Sequence, residues 1–172
     1  MCTIGLGTTT CRDDPKLYNT DKERQILSPA NDLYVKLAED CVAQRICVDL
    51  FFCLKIGNSI DLTTVAPLAA HTGGDLYFQN PFDATKHGER LHYEIFRVLT
   101  RNQGSEVAIK ARTSTGYSVT EYFGGFGVKE SVDFELSAID SDKFVGFLIR
   151  CDEKQKEEAI FYVQFAMMYT TH

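Results

Sequence analysis

Acidic residues in and beside apolar strands, a run of cysteines and a glycine pair are this chain's candidates for acid–base, nucleophilic and phosphate-binding chemistry. Asp49 lies within "ICVDLFFCL", Ile46–Leu54. A carboxylate in a buried strand must be satisfied or it costs roughly several kcal/mol in desolvation. Backbone N–H groups of a neighbouring loop are the more common partner, so Asp49 is read as structural. Asp140 and Asp142, with Lys143 in "AIDSDKF", could form a carboxylate pair for metal or acid–base work. The same residues between two strands are ordinary turn formers, and the turn is preferred.

Cys41, Cys47 and Cys53 lack the His and Asn constellation of a thiol nucleophile. With Cys2, Cys11 and Cys151 they form no C-x-x-C pair. Reduced thiols of a cytosolic protein are therefore expected, with neither zinc nor a disulfide framework favoured. His71, His87, His92 and His172 make no H-E-x-x-H and no recognisable ligand pattern with a carboxylate. His87 and His92 are read as solvated helix positions. In "HTGGDLYFQNPF", residues 71–82, a phosphate cradle would need the glycines to follow a strand and open a helix. Here a helical stripe precedes them and "LYFQ" follows, so Gly73 is read as a helix stop in the left-handed conformation. No catalytic, cofactor-binding or metal-ligating residue is assigned.

The elements that hold these residues follow from periodicity. Residues 1–26 have neither helical nor strand period and read as an extended surface segment. Ser28 as N-cap with Pro29 at the first helical position opens a helix through Leu33, Leu37 and Cys41 to about Gln44. Ile46–Leu54 then reads as a strand buried on both faces. For the segment 61–71, a cap at Thr64 puts Pro67 in the first turn, where its missing N–H matters little. The strand from Leu76 and a helix capped by Asp83 and running to about Arg101 complete a helix–strand alternation, the pattern of a parallel α/β sheet. Beyond Asn102–Gly104 about five short strands are separated by "TG", "GGFG", "DSD" and "DEKQKEE", as in an antiparallel sandwich, with Thr115–Gly116 as a tight hairpin turn. The expected fold class is thus α/β plus all-β, divided into residues 1–103 and 104–172. So small a parallel sheet cannot cover its own faces, so a fragment of a longer chain is expected.

The chain of 172 residues carries a net charge of -6, which supplies no basic footprint for nucleic acid. No window approaches the ~18–20 apolar residues of a membrane span.

The ordered series "RDDPKLYNTDKE" (Arg12–Glu23), "VDLF" (Val48–Phe51), "HTGGDLYFQNPF", "RTSTGYSVTEYFGGF" (Arg112–Phe126), "IDSDK" (Ile139–Lys143) and "VQFAMMYT" (Val163–Thr170) resembles the cargo-selecting adaptor subunit of the COPII inner coat. The DPKL..TDKE and RTSTG…FGGF elements are the specific ones. The resemblance implies the second half of a von Willebrand A-type trunk, a partial parallel sheet flanked by helices, followed by part of a β-sandwich. It also implies a non-enzymatic role. Its implied partners are the coat's GTPase-activating subunit as heterodimer, cargo membrane-protein tails, a small Sar-type GTPase indirectly and the endoplasmic reticulum surface peripherally. The implied location is the cytoplasm at exit sites and on COPII vesicles. No cofactor is implied within these residues, zinc being expected in a ribbon upstream of them, and no cargo pocket can be matched residue by residue. Pro67 departs from the family pattern by interrupting a helix that is usually continuous. Competing readings are the GTPase-activating subunit of the same coat, a metal-dependent A-type ligand-binding domain, and a thiol enzyme.

Overall fold

A computed structural model describes residues 2–4, 7–9, 15–124, 133–154 and 160–171. Cys11, Arg12–Asp14, Gly125, Phe126 and His172 lie outside the described residues, as do the side chain of Cys2 and part of the "DEKQKEE" spacer.

The N-terminal stretch is not uniformly extended. β1 (Cys2–Ile4) and β2 (Gly7–Thr9) pair as an antiparallel hairpin, and single 3₁₀ turns occupy Pro15–Leu17 and Glu23–Gln25. Pairings this short leave no periodic trace in sequence.

α1 (Leu33–Ala43) starts later than the Ser28–Pro29 signal predicts. The Ser28 hydroxyl donates instead to the Arg24 carbonyl (2.7 Å), while the Ala30 N–H donates to Thr64 Oγ1 (2.8 Å). A tertiary hydrogen bond thus ties Ala30 to α2, and residues 30–32 form bends where the first helical turn is expected. At the other end Arg45 adopts φ 59° and the Ile46 N–H returns to the Cys41 carbonyl (2.8 Å). The chain therefore enters its ladder only at β3 (Leu50–Cys53), which is half-buried rather than enclosed on both faces.

α2 (Leu62–Thr72) is capped by Asp61, not Thr64. Asp61 accepts from the Thr64 N–H (3.3 Å) and from the Thr64 hydroxyl (2.6 Å). A carboxylate that satisfies two donors at the helix start outweighs the single i→i−4 bond lost at Pro67, which consequently sits inside the helix. Gly73 ends α2 with φ 82°, as its position predicts. β4 (Leu76–Gln79) follows and pairs parallel to β3, with Phe51 and Tyr77 stacked 4.6 Å apart across the pair.

Asp83 caps α3 (Ala84–Thr100), its side chain accepting from the Thr85 N–H at 2.9 Å. Tyr34, Ala38, Leu54, Ile60, Val65 and Leu68 form the core under α1 and α2. Each fully buried aliphatic side chain there contributes about 1.5–3 kcal/mol.

Among the described residues the second half has two antiparallel sheets. β5 (Gln103–Thr113) lies between β7 (Asp133–Asp140) and β9 (Val163–Thr170), while β6 (Tyr117–Phe123) pairs with β8 (Gly146–Cys151). Gly116 takes φ 86° as the turn requires, yet the turn joins no hairpin. It carries the chain from one sheet to the other, so β5 and β6 are not ladder partners. Val107, Ile109 and Leu136 form the inter-sheet core, with Tyr122 and Phe147 against it.

Candidate functional site

The acidic residues noted in the sequence converge on one place, where the end of α3, the loop before β4 and the β7–β8 turn meet. The glycine pair builds the loop. An added Cβ on Gly73 would stand 2.9 Å from the Ala138 carbonyl oxygen of β7, and one on Gly74 would stand 2.0 Å from the Val48 carbonyl oxygen. Thr72 beside them is buried and accepts the Val48 N–H (3.0 Å) while its own hydroxyl turns back to α2 carbonyls. Asp49 is satisfied as expected, by a backbone donor: its Oδ1 accepts the Asp75 N–H at 2.7 Å.

Asp75 then reaches across to the other half. Its Oδ2 lies 2.8 Å from Arg101 Nη2, and its Oδ1 accepts from Lys143 Nζ. Arg101 also meets Asp140 Oδ2 at 2.9 Å and Asp142 Oδ2 at 3.4 Å, and Arg97 Nε donates to Asp142 Oδ2 at 2.7 Å. The Arg101 side chain is 6% exposed and that of Asp140 7%. Burial works to raise the Asp75 carboxyl, but hydrogen bonds from Lys143 and Arg101 prevail and hold it below the usual carboxylate range. The bond from Arg97 does the same for Asp142. Asp140 and Asp142 do make a turn, with the Asp142 N–H donating to Asp140 Oδ1 (2.8 Å). The turn is anchored by guanidinium groups, so both carboxylates are engaged in ion pairs. Farther along β7 and apart from this cluster, Arg45 Nη2 meets Glu135 Oε2 at 2.9 Å, a further ion pair joining the halves.

The remaining candidates stay apart. Cys47 is partly buried and its thiol is pushed up to about 11, chiefly by burial and then by Asp49, the opposite of an activated nucleophile. Cys41 is half-buried, and Cys53 is exposed. His71 ends α2. His87 is not simply solvated, because its Nδ1 accepts the Asp83 N–H (3.0 Å) and completes a reciprocal cap on α3. His92 stacks on Phe96. Among the described residues no group of three or more His, Cys, Asp or Glu is placed to hold a metal ion. No described helix is long and apolar enough to cross a membrane. Arg97, Arg101 and Asp75 carry no motif of their own in the sequence, although basic residues at the end of α3 and an acidic turn at 140–142 are a usable signal for them.

Next to this cluster lies an open cleft of about 650 Å³, lined among others by Leu99, Arg101, Ile139, Met167 and Tyr169. Leu99 is 77% and Met168 73% exposed, and most of β9 is open to solvent.

Residues 1–99 match the family described as Sec23/Sec24 trunk domain, and residues 104–172 match the Sec23/Sec24 beta-sandwich domain. The chain belongs to the Sec23/Sec24 family. Human Sec24C is 36% identical over 165 residues, 96% of this chain and 15% of that protein. Human Sec24D is 35% identical over 165 residues, 96% of this chain and 16% of that protein. SEC24 A of Arabidopsis thaliana is 30% identical over 168 residues, 97% of this chain and 16% of that protein. The crystal structure of the human COPII-coat protein Sec24c superposes with a TM-score of 0.88 at 34% identity, covering 94% of this chain and 21% of that one. The chain thus spans about 15% of the length of the curated relatives it matches. In Sec23/Sec24 terms, the cluster ties Asp75 of the trunk match to Lys143 of the sandwich match, with Arg101 in the short gap between the two matches.

Proposed function

We propose that this chain is a scaffolding portion of a Sec24-type COPII coat adaptor, with a partial trunk over residues 1–103 and a partial β-sandwich over 104–172. The parent protein binds the coat's GTPase-activating subunit as a heterodimer and selects cargo tails for export from the endoplasmic reticulum. It acts from the cytoplasm, peripherally on the membrane, contacts the small Sar-type GTPase indirectly, and carries zinc in its upstream ribbon. The observation that carries this reading is the match of both halves, in order, to one solved Sec24c chain. Its coherence with the site is physical. The carboxylates at the junction are consumed by arginine and lysine, and the Cys47 thiol is held protonated, which suits a structural part better than a catalytic one. The GTPase-activating subunit is the weaker alternative, because the relatives at 36% and 35% identity are both Sec24 proteins.

The test is a pull-down from cytosol with the full-length parent as bait, read by mass spectrometry. Recovery of the GTPase-activating coat subunit in stoichiometric amount is expected. Its absence, with other soluble proteins recovered normally, would overturn the assignment.

A further inference from the structure

We propose that the Thr72–Asp75 loop is a mechanical clasp that makes the α/β half and the sandwich half one cooperative unit, so that a disturbance in the first half is felt in β7. The inference concerns this chain's own coupling and stands independently of the coat assignment.

Three kinds of contact meet within these four residues. The first is steric: Gly73 brings the end of α2 so near the Ala138 carbonyl of β7 that a side chain could not stand between them. The second is the internal tie. Gly74 lies against the Val48 carbonyl, Thr72 Oγ1 accepts the Val48 N–H, and Asp49 accepts the Asp75 N–H, so the loop cannot shift without moving the lead-in to β3. The third is electrostatic: the Asp75 carboxylate is shared by Lys143 from the β7–β8 turn and Arg101 from the end of α3. Arg101, nearly enclosed, is shared in turn among Asp75, Asp140 and Asp142.

Such a node resists partial opening. Releasing Asp75 alone leaves the enclosed guanidinium with Asp140 and Asp142 but takes from Lys143 its short carboxylate contact. Releasing Arg101 leaves the buried Asp140 carboxylate with the Asp142 N–H and the 4.0 Å contact to Lys143 in place of a guanidinium. Removing one partner is therefore felt by every element that supplies another. Packed side chains and ion pairs with two discrete arrangements are the physical basis of coupling between distant elements. The glycine pair, which reads as a simple helix stop in sequence, is what lets the charged residues approach.

The test is amide hydrogen exchange on the full-length parent protein, comparing four forms: unchanged, Leu68→Ala in the core of the first half, Asp75→Ala in the clasp, and both together. With the clasp intact, Leu68→Ala is expected to accelerate exchange by about tenfold or more both in β3 and β4 and in β7. With Asp75→Ala also present, the acceleration caused by Leu68→Ala is expected undiminished in β3 and β4 but reduced in β7, where the Arg101–Asp140 and Arg45–Glu135 pairs still join the halves. Acceleration confined to β3 and β4 while Asp75 is intact would overturn the proposal, as would equal transmission to β7 without it. If Leu68→Ala does not fold, Ile60→Val, a milder change in the same core, supports the same comparison.

Discussion

Gly74 packs against Val48 so closely that a Cβ on the glycine would lie 2.0 Å from the Val48 carbonyl oxygen. Because the obstacle is backbone, no rotamer change relieves it. Gly74→Ala is expected to destabilise by about 3 kcal/mol or more. Gly88, in the middle of α3, has nothing within 4 Å of an added Cβ. Gly88→Ala is expected to stabilise by about 0.5–1 kcal/mol through helix propensity. Urea denaturation of the two variants should give shifts of opposite sign.

Asp49 shows why a carboxylate is tolerated at the lead-in to β3. Asp49→Ala leaves the part-buried Asp75 N–H without its acceptor and is expected to cost about 1–3 kcal/mol. Asp49→Asn retains an acceptor oxygen and should cost clearly less. Equal losses in thermal denaturation would show that charge rather than hydrogen bonding matters there.

Acid should weaken the junction. The folded-state values of Asp75 and Asp142 lie below their ordinary ones, so the unfolded chain binds their protons more readily. The stability they provide is present above a pH of about 4 and is lost as pH falls through the folded values. Denaturation midpoints between pH 7 and pH 3 should therefore fall less steeply in Asp75→Asn than in the unchanged protein.

Thiol labelling separates the cysteines by environment. With Cys47 pushed up to about 11 and partly buried, iodoacetamide at neutral pH should modify exposed Cys53 and Cys151 first and Cys47 much more slowly. Preferential labelling of Cys47, followed by peptide mass mapping, would revive a thiol nucleophile.

Much of the local structure was legible because its causes are local. Gly73 ends α2, Leu76 begins β4 and Asp83 caps α3 through chemistry within a few residues of each. The two misplaced α-helix starts have different causes: Asp61 caps α2 through bonds only three residues on, which the position of Pro67 outweighs in the sequence, whereas the start of α1 yields to a tertiary bond. Thr64 serves α1's lead-in and Asp61 at once, by bonds to Ala30 and to the Asp61 carboxylate, and a partner 34 positions away leaves no periodic signal. Ser28 and Pro29 looked like a helix start only because that bond was invisible.

Legible in the chain alone were the order of elements from α1 onward, the change from helix–strand alternation to short strands near residue 103, the structural role of Asp49 and the family resemblance. Apolar period, caps and turn residues act over short stretches and survive in any fold that uses them. Long-range packing pairs β5 with β7 and β9 rather than with β6. It alone brought Asp75 within reach of Lys143, 68 positions away. Register between sheets and the sharing of one guanidinium among three carboxylates depend on long-range chain closure, where many pairings are compatible with the same local pattern and only simultaneous packing of both cores selects one.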